Sequence, residues 1–348
     1  MTNNVVITGG AGFLGARLAR ELLTAGDRPQ QEPSQQEPSQ PAPSRSAPSQ
    51  SALARLTLTD RVPVPADLAA DPRVTTVTGD LTDVLSSRED AAALLSGADV
   101  VFHLAAAVSG ECEADFDLGL HANLHATQAL LAACRGLGTS PVVVYASSLA
   151  VFGAPGGFPS GTVVDDETLP TPQTSYGTQK VMGEYLLADY TRKGFLRGRA
   201  LRLVTVSVRP GKPNAAASGF MSGIIREPLA GQRAACPVGP DTEVALASPA
   251  KAIAGLLRAA VASDDEWGGR TAVNLPALTV TVREMVAALS RVAGPETAAL
   301  IDWTPDPAVA EIVRSWPARV RSGRAARLGL TPDPDFDSVI RAHLADVA

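Results

Sequence analysis

Eight residues near the start of the chain constrain its fold more than any others. Thr8-Gly9-Gly10-Ala11-Gly12-Phe13-Leu14-Gly15 carries a GxxGxxG spacing. The apolar run Val5 to Thr8 before it predicts a buried parallel strand. Gly12 to Ala25 after it predicts an amphipathic helix, because Leu14, Leu18 and Leu22 recur at i, i+4 and i+8. A strand, a glycine-rich turn and a helix in that order form a cradle for a dinucleotide pyrophosphate. Gly9 permits the tight turn, Gly12 lets backbone approach the phosphates, and Gly15 lets helix pack on strand. The helix N-terminus adds unpaired N–H groups and positive potential.

Further strands are predicted at Leu53–Asp60, Val74–Thr78, Asp99–Leu104, Val142–Ala146 and Ala200–Val208. Helices are predicted near Phe116–Cys134 and over Tyr176–Arg192. Strands alternating with helices imply an α/β fold with a doubly wound, mostly parallel sheet of the Rossmann kind. After Pro210 the alternation becomes irregular, and only Thr271–Leu275 still reads as a sheet strand. The expected organisation is a dinucleotide-binding domain over 1–211 and 247–275, with a smaller C-terminal substrate lobe over 212–246 and 276–348. Residues 28–51 interrupt the first domain. They hold a tandem repeat, Gln31-Glu32-Pro33-Ser34-Gln35 then Gln36-Glu37-Pro38-Ser39-Gln40. A segment this rich in Pro, Gln and Ser cannot bury enough surface to order itself, so a disordered low-complexity insertion is expected.

The chain has 348 residues, 45% hydrophobic and 19% charged, enough for a sizeable core. Its net charge of -6 argues against nucleic-acid or anionic-membrane partners. The one Arg-rich stretch, 314–327, reads as a solvated helical face. Cys112, Cys134 and Cys236 are odd in number and widely spaced, as for reduced thiols in the cytoplasm. His121 and His125 stand at i, i+4 without an HExxH context, so no metal is expected. There is no basic n-region ahead of the first strand and no apolar run of membrane-spanning length, so a cytoplasmic protein is expected.

Three features carry chemistry. Asp60 ends the second strand, where an acid accepts hydrogen bonds from the adenosine ribose and repels a 2′-phosphate. That favours NAD over NADP, although Arg61 follows directly. Removing the insertion restores an ordinary gap between the glycines and this acid. Tyr176-Gly177-Thr178-Gln179-Lys180 places a phenol and an ammonium on one helical face. With four Tyr and four Lys in the chain, about 0.05 such pairings are expected by chance. A free Tyr titrates near 10, so a phenolate base near neutrality needs roughly 4 kcal/mol of stabilisation. An ammonium about 6 Å away, at an effective dielectric of about 20, supplies roughly 2.8 kcal/mol, and a positive nicotinamide ring is expected to supply the rest. Finally, Ser147 and Ser148 lie at the carboxyl end of the fifth strand, where ligands sit in open α/β sheets. A Ser there can hold the substrate hydroxyl while Tyr176 takes its proton.

Together these motifs resemble the extended short-chain dehydrogenase/reductase superfamily, which includes sugar-nucleotide epimerases and dehydratases. The resemblance implies Ser148, Tyr176 and Lys180 as catalytic residues, Ser148 being placed by its distance to Val151-Phe152-Gly153. It implies Asp80 as the acid near the adenine and Asn123 as the central-helix Asn that supports the site. The implied cofactor contacts are Gly9, Gly12, Phe13, Leu14, Gly15, Asp60, Asp80 and Leu81. Ala105, Ala106, Ala107, Asn123, Tyr176 and Lys180 complete them. Homodimers form in that superfamily through the helices corresponding to Phe116–Cys134 and Tyr176–Arg192. A narrower likeness rests on Val108-Ser109-Gly110-Glu111, Arg209-Pro210-Gly211-Lys212-Pro213-Asn214, Ser218-Gly219-Phe220, 225–231 and Ser315-Trp316-Pro317-Ala318-Arg319. It is to dehydrogenases that oxidise the C2 hydroxyl of a four-carbon sugar acid with NAD. For such a substrate the expected contacts are Ser109, Ser148 and Tyr176, with Lys212 first and Arg226 second for the carboxylate.

Two rival readings stay open. A sugar-nucleotide epimerase uses the same Ser, Tyr and Lys. A non-catalytic NAD(H)-sensing module keeps the fold without the chemistry. A 4,6-dehydratase is disfavoured, because Leu149 and Ala150 stand where that group places an Asp-Glu pair.

Overall fold

The computed structural model describes residues 3–27, 53–211 and 217–347. The 28–51 insertion and Lys212 lie outside them. Seven strands form one sheet: β1 (Asn3–Thr8), β2 (Leu53–Asp60), β3 (Val74–Thr78), β4 (Val100–His103), β5 (Val142–Ser148), β6 (Arg197–Leu203) and β7 (Val273–Asn274). Their spatial order is β7-β6-β5-β4-β1-β2-β3, with every pairing parallel. The order reverses between β1 and β4, which opens a crevice at the carboxyl ends of those strands. Register brings the ends together: Thr8 pairs with Thr59 on one side and His103 on the other, and His103 pairs with Tyr145.

Side-chain alternation sorts each strand between two layers. Val5, Ile7, Val142 and Val144 face a core with Leu18 of α1 (Phe13–Asp27) and Leu256 of the helix Pro249–Val261. Val6, Val101, Val143 and Tyr145 face the opposite core, with Leu130 of α2 (Ala126–Leu137) and Leu187 of α3 (Ser175–Arg192). A third core gathers Ile224 and Ile225 of α4 (Phe220–Leu229) with Met285, Leu289 and Ile340 from the C-terminal part.

Several local expectations need correction. The sixth strand was expected to run to Val208. It instead leaves the large sheet at Leu203, and Thr205–Val206 pairs in parallel with Glu243–Ala247 in a separate three-stranded sheet. The apolar run is continuous across both, so hydrophobicity alone does not mark the change of partner. The helix expected over Phe116–Cys134 is a helical turn at Phe116–Gly119, a π-helical turn at Leu120–His125, and then α2. The Arg-rich stretch 314–327 is not a helical face. One helix ends at Ser315, two residues before Pro317, and a short second one, Gly323–Arg327, turns Arg324 inward. Beyond the first, Arg319 pairs with Glu243 at 2.5 Å, and Arg324 is buried, donating to the carbonyls of Trp267 at 2.9 Å and Thr271 at 3.1 Å.

Candidate active site

The glycine-rich turn is fixed by backbone. The amides of Gly9 and Gly10 donate to the Thr59 carbonyl at 2.8 and 3.1 Å. Gly9 has φ +76°, and a Cβ there would lie 2.7 Å from the Ala105 nitrogen. A Cβ on Gly15 would lie 2.1 Å from the Gly9 carbonyl oxygen. Gly12 is exposed at the lip of the crevice. Asp60 accepts from the Ala11 amide at 3.0 Å, so it braces the turn as well as facing the groove. A cavity of about 280 Å³ runs past Gly9, Gly12, Asp60, Arg61, Asp80 and Ala105 to Ala107. Asp80 caps the short helix that starts at Leu81. Burial works to raise the Asp80 carboxyl, but hydrogen bonds from Thr82 and His121 outweigh it and hold the acid below its usual range.

That cavity shares Gly9, Gly12, Ala106 and Ala107 with a second one of about 320 Å³, so the two form one groove. Phe13, Leu14, Ser109, Ser148, Tyr176 and Lys180 line the second part. The two adjacent serines behave differently. Ser147 is buried, and its hydroxyl donates to Glu184 at 2.5 Å. Glu184 in turn holds Arg202 through contacts of 2.9 and 2.7 Å. Ser148 is half-buried; its hydroxyl accepts a local bond from the Ala150 amide at 3.1 Å and reaches the Tyr176 phenol. Thus Ser148 is the serine with its hydroxyl available to the groove.

Tyr176 opens α3 with Thr174 as its cap, and Lys180 follows one turn later. The Lys180 ammonium is buried, donates to the Ala146 carbonyl at 2.9 Å, and stands 5.6 Å from the centre of the Tyr176 ring. Burial pushes the Tyr176 phenol up to about 12, while a hydrogen bond with Ser148 and the charge of Arg209 pull it the other way. Burial also brings the Lys180 ammonium down to about 8. The expected Tyr–Lys proximity is therefore present. In the protein alone, however, desolvation outweighs the Ser148 hydrogen bond and the Arg209 charge, and the phenol stays protonated at neutral pH.

Asn123 lies in the π-helical turn, a distortion that recurs at functional sites. It is buried, accepts from the Ala107 amide at 2.8 Å, and contacts Gln179 of α3 at 2.8 Å. It lines neither part of the groove. The structure gives it a brace between the Ala105–Ala107 turn and the Tyr176 helix rather than a ligand-facing position.

The residues present fit a dinucleotide. Two glycines admit no Cβ, one strip of backbone is open at a helix N-terminus, and an acid stands at the end of β2. The sequence pattern of the NAD dependent epimerase/dehydratase family matches residues 5–245. The chain belongs to that family. Membership carries a nicotinamide dinucleotide cofactor, NAD or NADP. The D-erythronate dehydrogenase of Cupriavidus necator is 50% identical over 343 residues, spanning 99% of this chain and 98% of that one. The D-erythronate dehydrogenase of Haemophilus influenzae is 38% identical over 98% of each chain. The structure of the nucleoside-diphosphate-sugar epimerase from Agrobacterium tumefaciens superposes with a TM-score of 0.83 at 37% identity, covering 99% of this chain and 94% of that one.

At the far end of the groove the structure and the sequence reading differ. Lys212 lies outside the described residues. Arg226 does not line the groove; its guanidinium donates to the Arg209 carbonyl at 2.7 Å and to Glu227 at 2.6 Å. Arg209, Ser218, Met221 and Trp316 do line it. Ser218 and Met221 lie three residues apart, whereas Arg209 and Trp316 are about a hundred residues apart, so no one local spacing connects all four. Arg209, Ser218 and Trp316 each lie in a run that carries the narrower likeness, Arg209 as the first residue of the Arg-Pro-Gly-Lys run. Among the described residues no cluster of His, Cys, Asp and Glu is suited to a metal, and no helix is long and apolar enough to cross a membrane.

Proposed function

We propose that the protein is an NAD-dependent dehydrogenase that oxidises the C2 hydroxyl of D-erythronate, giving the 2-oxo acid. The observation that carries this reading is end-to-end likeness to two D-erythronate dehydrogenases, combined with Ser148, Tyr176 and Lys180 gathered on one groove. Ser148 holds the substrate hydroxyl. Tyr176 takes its proton. Lys180, fixed on the Ala146 carbonyl, keeps a positive charge beside the phenol. When bound, the oxidised dinucleotide supplies a hydride acceptor and a positive ring whose charge favours the phenolate. Gly9, Gly12 and Gly15 hold its pyrophosphate against the start of α1. Asp60 faces its ribose and disfavours a 2′-phosphate, so NAD is used ahead of NADP.

The epimerase reading has one specific support, the likeness to the Agrobacterium tumefaciens protein. The end-to-end likeness to two D-erythronate dehydrogenases, one of them 50% identical, favours the short acid. The sensing-module reading leaves the convergence of Ser148, Tyr176 and Lys180 without a purpose. The deciding experiment supplies purified protein with NAD and a panel of four- and five-carbon aldonic acids, and follows NADH. Turnover highest on D-erythronate is expected. NAD binding without oxidation of any acid rejects this function and returns attention to nucleotide sugars.

A further inference from the structure

Three charged side chains line the catalytic part of the groove: Lys180, Arg209 and Glu243. Two are already committed. Lys180 donates to the Ala146 carbonyl at 2.9 Å, and Glu243 pairs with Arg319 at 2.5 Å. Arg209 is different. Among the described residues its guanidinium enters no ion pair and no hydrogen bond. The neighbouring arginines show what a satisfied guanidinium looks like here: Arg202 is forked onto Glu184, and Arg226 lies on Glu227 at 2.6 Å. The backbone beneath Arg209 is nonetheless held from both sides. Its amide donates to the Ser222 hydroxyl at 3.0 Å, and its carbonyl accepts from Arg226 at 2.7 Å. Both partners stand on α4, so the attachment point of this side chain is rigid while its head has no counter-ion among the described residues.

A half-buried cation without a partner is costly, and a second cation beside it makes it more so. Burial and the charge of Arg226 accordingly push the Arg209 guanidinium below its ordinary range. The arrangement is relieved by an anion arriving in the groove. We infer that Arg209 is the residue that reads the carboxylate of the substrate. A planar guanidinium takes a carboxylate through two parallel hydrogen bonds, which fixes orientation as well as charge.

The position of Arg209 fits one substrate class in particular. In a 2-hydroxy acid the carboxylate carbon is bonded directly to the reacting C2. The anion site must therefore adjoin the site that holds the hydroxyl. Arg209 lines the same small cavity as Ser148 and Tyr176, and its charge is felt at the Tyr176 phenol. In a nucleotide sugar the anionic diphosphate lies across a sugar ring from a reacting C4, so a cation this close to the base has nothing to read. Arg226 then acts as a positioning residue, setting the Arg209 backbone through the carbonyl it caps.

This inference deepens the proposed function and rests on it for the identity of the acid. Its test compares D-erythronate with D-erythronamide, the same molecule without the charge, in the wild type, Arg209→Gln and Arg209→Lys. The quantity read is the ratio of kcat/KM for acid over amide. A second reading is equilibrium binding of D-erythronate to the protein–NADH complex. NADH affinity and thermal melting establish that each variant is folded. The ratio is expected to fall about 100-fold in the Gln variant and less in the Lys variant, which keeps charge but loses the fork. An unchanged ratio and unchanged acid binding in a folded Gln variant overturn the assignment. Acid binding that depends on Arg209, without oxidation, upholds the anion site and rejects the proposed reaction. No acid binding by the wild type overturns both.

Discussion

The two ends of the groove are built by different means. At the dinucleotide end the surface is mostly backbone: the Gly9–Gly15 turn, the Thr59 carbonyl that anchors it, and the Ala105–Ala107 turn that packs against Gly9. At the substrate end it is side chains, Ser109, Ser148, Tyr176, Arg209 and Trp316, each delivered by a different element. Backbone offers the same N–H groups whatever the residue, so the first end suits a ligand shared by many proteins. Side chains can be exchanged singly, so the second end is where one family takes many substrates. The first end should therefore fail by losing its shape and the second by losing its chemistry.

The largest effect should follow removal of one oxygen at the substrate end. Tyr176→Phe is expected to lower kcat about 10³-fold while leaving NAD affinity within a few-fold of wild type. Steady-state kinetics and a direct NAD titration check both halves. A parallel loss of NAD binding would break the contrast between the two ends. The same phenol governs pH dependence. It is pushed up to about 12 in the free protein, and the positive ring of the bound dinucleotide should bring it down toward neutrality. Deprotonation is required for oxidation, so kcat/KM should climb about tenfold per pH unit below the governing pKa and then level off. A profile that is also flat on the acid side of neutrality would remove Tyr176 as the base.

At the dinucleotide end, Gly15→Ala adds a single carbon that would stand 2.1 Å from the Gly9 carbonyl oxygen and 3.0 Å from the Gly10 Cα. Neither neighbour is the end of a flexible side chain, so the turn itself must move. A loss of about 1–3 kcal/mol of stability is expected, together with weaker NAD binding. Thermal melting with and without NAD reads it: the variant should melt lower and gain less from the ligand. An unaltered melting temperature would show that the backbone cradle tolerates the shift.

The same division explains what was legible in the sequence. The glycine turn, β1 to β5 and the Tyr176/Lys180 pair were readable because each is a local pattern: a period, a spacing, or both. The choice of Ser148 over Ser147 came from a resemblance. The structure gives a physical reason in the Ser147 bond to Glu184, a partner 37 residues away that no local spacing reveals. Arg209 was passed over in favour of Lys212 and Arg226. An arginine's use depends on which acids reach it, and Glu227 reaches Arg226 but not Arg209. The end of β6 was missed for a related reason: an apolar run reports burial, not which sheet does the burying.

The smallest effect tests the one point where the dinucleotide end depends on a side chain. Asp60 accepts from the Ala11 amide at 3.0 Å and faces the groove beside Arg61. Asp60→Asn keeps an oxygen for Ala11, so the turn should hold and stability should change little. What it removes is negative charge from the place expected to receive the adenosine ribose. The preference for NAD over NADP, taken as a ratio of kcat/KM values, should fall about tenfold, with Arg61 left as the nearest charge to attract a 2′-phosphate. Asp60→Asn combined with Arg61→Ala should recover part of that preference. If instead Asp60→Asn weakens both cofactors equally, Asp60 serves the turn and not the choice of cofactor, and selectivity has to come from backbone alone.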